Sequence, residues 1–388
     1  MSETILDAGI TTLGTAVVDL AAIAHNTEVL AEYATSDLLA VVKADGFGHG
    51  MIPVAQTALA HGATWLGVTS LAEAFEVRAA GITAPVLSWM HLPDQDFAPA
   101  IAADIDLSVS SLVHLAGITA SAERLGRPAT VHLKIDTGLS RNGSWIDGWP
   151  DLVAAAVRAE RAGLLRVAGV WSHLASSERI GDPSVPSQLR LYDEGLALAR
   201  AAGLDPWVCH LANSAGILAL PQSHHDLSRA GIALYGVEPI DGRTHGLRLA
   251  MTLRSRTIMV KRVPAGTGVS YEHEYVTDRP TTLALVPLGF ADGVPRRLGN
   301  RGEVVVGGVR CPIAGRVAMD QFVADLGDAD VRIGDDVVLF GPGAHGEPTA
   351  ADWADWVGTN AHEILTGIGA RVPRHYLPAG GGTEWASA

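Results

Sequence analysis

The chain has 388 residues, is 48% hydrophobic and carries a formal net charge of −14, enough for one large domain with a buried core and a smaller one beside it. That charge argues against nucleic acid and anionic membrane as partners, since both reward clustered Lys and Arg. No apolar run reaches transmembrane length, and the opening MSETILDAGITTLG lacks the basic and apolar regions of a secretion signal, so a cytoplasmic enzyme is expected.

From about residue 15 to 240, short apolar runs alternate with Ala/Leu-rich segments of helical spacing. The runs are LLAVVKAD, TWLGVTS, APVLSWM, IDLSVS, TVHLKID, RVAGVWSHL, WVCHLAN and DLSRAGIALYG. Between them lie MIPVAQTALAHG, LAEAFEVRAAG, WPDLVAAAVRAERAG and QLRLYDEGLALARAAG. Apolar runs buried on both faces, separated by helices that end in Gly, read as parallel βα units. Eight of them predict a (β/α)8 TIM-like barrel over residues 12–243. An open doubly wound sheet would begin with a Gly-rich phosphate turn after its first strand.

Residues 244–378 change texture: AMTLRSRTIMVKRV, TTLALVPLGF, GEVVVGGVRCPIAGRVAMDQFVADL and DDVVLFG are strand-like. Only ADWADWVGTNAHEILTGIGARV reads as helical, so a mainly β domain is expected, joined by segment 1–11, with 379–388 as a disordered tail. GPGAHG, Gly341 to Gly346, formally matches GxGxxG, but Pro348 follows and the next helix begins near Thr349, with Asp352 forming a capping box. A surface turn is the better reading. Cys209 and Cys311 are expected as buried free thiols, and no metal site is expected.

In a barrel, chemistry gathers where strands end and loops begin. Those positions hold Lys43, Thr69, Trp89, Ser108, Lys134 with Asp136, His173, Asn213 with Ser214, and Arg229. Any one alone is as readily a satisfied, half-buried polar group. Together on one rim they point to a site. Lys43 follows LLAVV directly, and a desolvated lysine of lowered pKa is what Schiff-base chemistry requires. ANSAGI and RAGIALYG offer backbone N–H groups and a serine hydroxyl suited to phosphate, though such turns are also ordinary.

AVVKADGFGHG resembles the pyridoxal-phosphate attachment motif of alanine racemases. The likeness continues in order through KIDTGLSRNG, GVWSHL, HLANSAG, SRAGIALYG, VPAGTGVSY, VPLGFADGVPR, AGRVAMDQF and RVPR. It implies a pyridoxal 5′-phosphate enzyme interconverting L- and D-alanine, supplying D-alanine for peptidoglycan, as a homodimer with shared sites. Lys43 would bind the cofactor and act as one base; Tyr271 would be the second base, reaching the site of the other subunit. Arg229 matches the partner of the pyridine nitrogen, and His173 links it towards Tyr271. Asn213, Ser214, Gly231 and Ile232 match the phosphate contacts, and Arg141 with the Met319 backbone match the groups holding the substrate carboxylate. Lys134 matches a lysine carbamylated in some members. Racemisation removes a proton from one face of Cα and returns it to the other, hence two bases. Tyrosine titrates near pH ~10, so Tyr271 would need cationic neighbours, expected from an Arg229–His173 relay.

Three positions depart from that family's usual tyrosines: Phe47, Phe290 and His362. All three match positions near the phosphate or the substrate channel, and His362 could restore a phosphate contact by donating from its ring. Neutral drift is one reading of these changes. The other is a shifted substrate choice, towards serine or a larger amino acid. A same-fold decarboxylase, a pyridoxal-phosphate carrier that binds without turnover, or an impaired paralogue are the rival functions; the RVAMDQF block and Tyr271 within a full β domain argue against the first two.

Overall fold

A computed structural model describes residues 12–379. They form two compact units: one holds the described residues up to Ala22, Phe47–Gly50 and those from Arg248 onward, the other Ile23–Gly46 and Met51–Leu247. Strand β1 (Gly14–Asp19) belongs to the first of these units. The reading that starts the barrel at residue 12 therefore sets the boundary too early. β1 is an interior strand of the other sheet, with backbone partners on both sides.

The barrel unit is built on β2 (Asp37–Val41), β3 (Trp65–Val68), β4 (Val86–Ser88), β5 (Asp106–Val109), β6 (Ala129–Lys134), β7 (Leu165–Trp171) and β8 (Leu227–Ala230). These seven pair in the order β7-β6-β5-β4-β3-β2-β8, all parallel. Their residues are buried almost throughout, as in β4 and β8, because helices cover one face and the barrel interior the other. The eighth stave is the extended segment 207–212. Val208 N and His210 N donate to Ala168 and Val170 of β7, while Leu227 N and Arg229 N donate to Cys209 and Ala212. It closes the gap between β7 and β8, which is how the predicted eight units resolve into seven regular strands and one irregular one.

Local rules account for the helix ends that aim the loops. Ser70 caps Leu71–Ala79 in a capping box with Glu73, and Ser111 caps Leu112–Leu125, which stops at left-handed Gly126.

The other unit adds β9 (Met251–Arg256), β10 (Met259–Val263), β11 (Gly268–Val269), β12 (Tyr275–Val276), β13 (Thr281–Val286), β14 (Glu303–Val306), β15 (Val309–Ala314), β16 (Phe322–Gly327), β17 (Asp336–Phe340) and β18 (Arg374–Leu377). Nine strands form one sheet in the order β10-β13-β16-β15-β14-β17-β9-β1-β18, and β11 pairs with β12. The stretch read as a single helix is two, Ala350–Val357 and Ala361–Gly367. Gly358 ends the first in a left-handed cap and Asn360 caps the second; Thr349 and Asp352 form the expected capping box. Segment 1–11 and, of the tail, 380–388 lie outside the described residues. Cys209 and Cys311 are free and buried, and burial pushes their thiols up to about 11 and about 12. No helix among the described residues is long and apolar enough to cross a membrane.

Candidate active site

Lys43 leaves β2 into a turn wound the unusual way. Ala44, Asp45, Gly46 and Phe47 all have φ between 52° and 60°, a left-handed conformation that costs non-glycine residues about 1–2 kcal/mol each. Glycine alone does not make this turn, since Ala44, Asp45 and Phe47 share the conformation with Gly46. Carboxylates hold it. Glu73 Oε1 accepts from Ala44 N at 2.8 Å, Glu73 Oε2 accepts from Thr69 N and Ser70 N, and Asp45 Oδ1 accepts from Met51 N at 2.8 Å. Burial, then the charge of Arg141, lowers the Lys43 ammonium from its ordinary value, while Glu73 opposes them. The amine lies 5.9 Å from the Trp89 ring centre.

Arg229, near the end of β8, is 3% exposed. Its Nη1 donates to His210 Nδ1 at 3.0 Å; its Nη2 donates to Ser172 O, to Leu211 O and, at 3.3 Å, to His173 Nδ1. Nε makes no hydrogen bond among the described residues, which leaves a cationic N–H for a ring nitrogen. Burial lowers Arg229 to about 10, still charged near neutrality. His173 is held well below its usual value by burial and by Arg229. The relay foreseen between them is therefore not doubly cationic: Arg229 carries the charge and His173 is neutral.

Lys134, at the end of β6, is brought to about 7 by burial and by Arg229 and Arg141. Its Nζ donates to Asn142 Oδ1 and lies 4.1 Å from the Trp171 ring centre. Arg141 is exposed on the following loop, and its charge is felt at Lys43, Lys134, His173 and Arg229. That is a suitable place for a group that meets a substrate carboxylate.

Asn213 caps the helix Ser214–Ala219 by accepting from Gly216 N, and Ser177 Oγ donates to the same Asn213 oxygen. Ser214 Oγ accepts from Gly231 N at 2.9 Å and Ala233 N at 3.3 Å, which leaves its hydroxyl proton to be donated elsewhere. The Gly231 N–H is thus engaged internally, whereas Ile232 opens a 3-10 turn and its N–H has no acceptor within that turn. A buried cation with a free N–H, a lysine of lowered pKa and a donor-rich turn in one barrel fit pyridoxal phosphate.

The remaining expected residues lie in the β unit. Tyr271 is 67% exposed on a loop where Ser270, Glu272 and His273 all have positive φ. Arg316 grips it through Glu272 at 2.8 and 2.7 Å and through Glu274, and Ser270 Oγ donates to Arg316 O. Met319 is exposed, and its carbonyl accepts from Ala291 N, beside Phe290, whose own N–H donates to Ala318 O. A side chain on Gly289 would meet the Met319 and Ala318 carbonyl oxygens at 2.3 and 2.4 Å, so only glycine permits this approach. Phe47 is buried, and its ring centre lies 5.9 Å from that of exposed His362. Two of the three departures from the family pattern touch.

Sequence reasoning passed over Glu73, Asn142, Trp171, His132, His210 and Asp106. The available signal was a histidine in the middle of each of two apolar runs, TVHLKID and WVCHLAN, where a strand buried on both faces must give it a polar partner.

The family model "Alanine racemase, N-terminal domain" matches residues 18–239 and "Alanine racemase, C-terminal domain" matches 250–376. An alanine racemase of Frankia casuarinae is 52% identical over 367 residues, 93% of this chain and 96% of that protein. One of Salinispora arenicola is 51% identical over 360 residues, covering 92% and 97%. The crystal structure of alanine racemase from D-cycloserine-producing Streptomyces lavendulae superposes with a TM-score of 0.93 at 47% identity, covering 95% of this chain and 98% of that one. The chain belongs to the alanine racemase family of isomerases.

Proposed function

We propose that this chain interconverts L- and D-alanine using pyridoxal 5′-phosphate at Lys43, with Lys43 and Tyr271 as the two bases. The observation that carries the reading is the grouping, in one barrel, of the half-buried Lys43 with the charges of Arg141 and of buried Arg229. Bound at Lys43, the cofactor supplies an electron sink that makes the Cα proton removable. Every other task falls to side chains and amides. Arg141 and the Met319 amide bind the substrate carboxylate. The Ser214 hydroxyl, the Ile232 N–H and the start of the Asn213-capped helix receive the phosphate; Gly231 joins them only if its bond to Ser214 opens, and His362 takes the place of a tyrosine donor.

Arg229 offers only donors and stays protonated, so its Nε–H would hold a ring nitrogen as an acceptor, and a nitrogen held in that way would keep the ring a restrained sink. Lys43 Nζ takes or returns the proton on one face of Cα, and Tyr271 Oη does so on the other. The two bases come from different copies: a homodimer with shared sites, in which Tyr271 of one protomer serves the barrel of its partner. Production of D-alanine for peptidoglycan in the cytoplasm is the role that fits this chemistry.

A second reading, a choice shifted towards serine, is favoured by the contact between Phe47 and His362. Exchange of the alanine α-hydrogen in deuterated water tests the main reading, with serine in parallel. Exchange with both enantiomers, abolished in Lys43→Ala, is expected; a yellow protein with no exchange would sink it.

A further inference from the structure

Behind Arg229 lies a buried hydrogen-bonded chain. His210 Nδ1 faces Arg229 Nη1 at 3.0 Å, His210 Nε2 faces His132 Nδ1 at 2.9 Å, and His132 Nε2 faces Asp106 Oδ2 at 3.1 Å. Both histidines are 0% exposed. The protons can be placed by elimination. Arginine only donates, so His210 Nδ1 must accept. A neutral imidazole then carries its proton on Nε2, which it gives to His132 Nδ1. His132 in turn keeps its proton on Nε2 and donates it to Asp106. Each link forces the next.

The barrel is built around this chain. The β6–β7 register shifts between Val131 and His132, opposite Gly169. A side chain on Gly169 would meet Val208 O at 2.3 Å and His132 Nδ1 at 2.5 Å, so nothing larger leaves room for the His132–His210 contact. Trp171 stacks on His210 at 5.4 Å with planes 14° apart, and Trp65 meets His132 edge-on at 5.6 Å.

Among the described residues, every hydrogen-bond partner of Arg229 is a carbonyl or an imidazole, and none is a carboxylate. A buried charge of this kind needs compensation. The chain ends at Asp106, the first residue of β5, at the opposite end of its strand from the loops that carry chemistry.

We propose that Asp106, His132 and His210 are positioning residues for Arg229: through aligned imidazoles they supply its distal counter-charge and hold the guanidinium so that Nε stays available to the cofactor ring. The inference rests on Arg229 facing that ring. Neither histidine touches substrate, and the chain moves no net proton in the reaction.

Long-range 1H–15N spectra of the 15N-labelled apoprotein test the chain itself. His132 and His210 are each expected to be neutral and protonated on Nε2; a proton on Nδ1 of either would overturn the proposal. Asp106→Asn keeps an acceptor but removes the charge, and His132→Phe breaks the chain. In the holoprotein each is expected to raise the pyridoxal-phosphate dissociation constant by about fivefold or more and to shift the absorption of the Lys43-bound cofactor, changes that a merely structural role would not produce together. Arg229→Gln is the reference. If it alters affinity and absorption while Asp106→Asn and His132→Phe alter neither, the positioning role fails by itself. If Arg229→Gln also alters neither, Arg229 does not face the ring, and both readings fail.

Discussion

Glu73 Oε1 accepts a hydrogen bond at 2.8 Å from the amide of Ala44, the residue that follows Lys43. Its other oxygen binds Thr69 N at 2.7 Å and Ser70 N at 3.0 Å, so one carboxylate joins the end of β2 to the end of β3. With Ala44, Asp45 and Phe47 all at positive φ, the turn carrying Lys43 persists because this carboxylate holds it. Glu73→Ala removes the capping box and three charge-assisted bonds. It is expected to lower stability by about 2–3 kcal/mol, read from urea unfolding of the apoprotein. Because Glu73 raises the Lys43 pKa against burial and Arg141, the inflection for amine labelling of Lys43 should also move to lower pH. A variant as stable as the parent would show that the turn does not depend on the carboxylate.

Lys134 makes stability depend on pH in a direction that can be worked out. Its folded value, about 7, lies below the ordinary 10.5, chiefly because burial disfavours the ammonium. The unfolded chain therefore binds the proton more tightly. Stability should rise as pH climbs from about 7 towards 10.5 and be lowest below that window. Lys134→Met in bicarbonate-free buffer should be the more stable protein near pH 7, by on the order of a few kcal/mol, with the gap closing across the window. Parallel stability profiles would refute this. At neutral pH a large share of Lys134 is free amine beside Arg141 and Arg229, a setting that favours a carbamate anion. Equilibration with 13C-bicarbonate should give a bound carbamate signal that Lys134→Met lacks.

The barrel was legible because its strands are buried on both faces and so appear as uninterrupted apolar runs, with Lys43, Lys134 and His173 where those runs end. The start at residue 12 was too early because β1 is an interior strand of the other sheet whose partners, β9 and β18, lie more than two hundred residues downstream. The left-handed turn at Ala44 was hidden because its support, Glu73, comes from the next βα unit. His132 and His210 were hidden for a similar reason. Seventy-eight residues separate them, and only the register of β6 against β7 shows that they meet. Lys43 was visible in one motif; the groups that tune and position it are distributed over the barrel and become visible only when it closes.

Phe47 and His362 should behave as a pair, since their rings lie 5.9 Å apart. Each replaces a tyrosine of the family pattern. A regained hydroxyl bond to a charged phosphate is worth about 1.5–3 kcal/mol, so Phe47→Tyr should tighten pyridoxal-phosphate binding about tenfold. If the pair also shapes the substrate choice, the double variant Phe47→Tyr/His362→Tyr should raise the ratio of kcat/KM for alanine over serine more than the two single changes combined. Strict additivity, with an unchanged ratio, would assign the two substitutions to drift. Parallel racemisation assays on both amino acids decide it.

The placement of Tyr271 yields the most direct test of assembly. It projects from a loop with three positive-φ non-glycine residues beside it, gripped by Arg316 through Glu272 and Glu274, and it is 67% exposed in a single chain. A catalytic base left so open would be poorly desolvated unless another surface covered it. Lys43→Ala and Tyr271→Phe should each abolish racemisation as pure proteins. If each site takes Lys43 from one protomer and Tyr271 from the other, a mixed dimer has one intact site and one doubly damaged site. Random pairing of equal amounts should then recover about one quarter of the parental activity, whereas sites built within single chains would recover none. Arg316→Ala should relax the loop and lower kcat while leaving cofactor affinity unchanged. If that substitution instead weakened cofactor binding and spared kcat, the Arg316 grip would not be what holds Tyr271 in place.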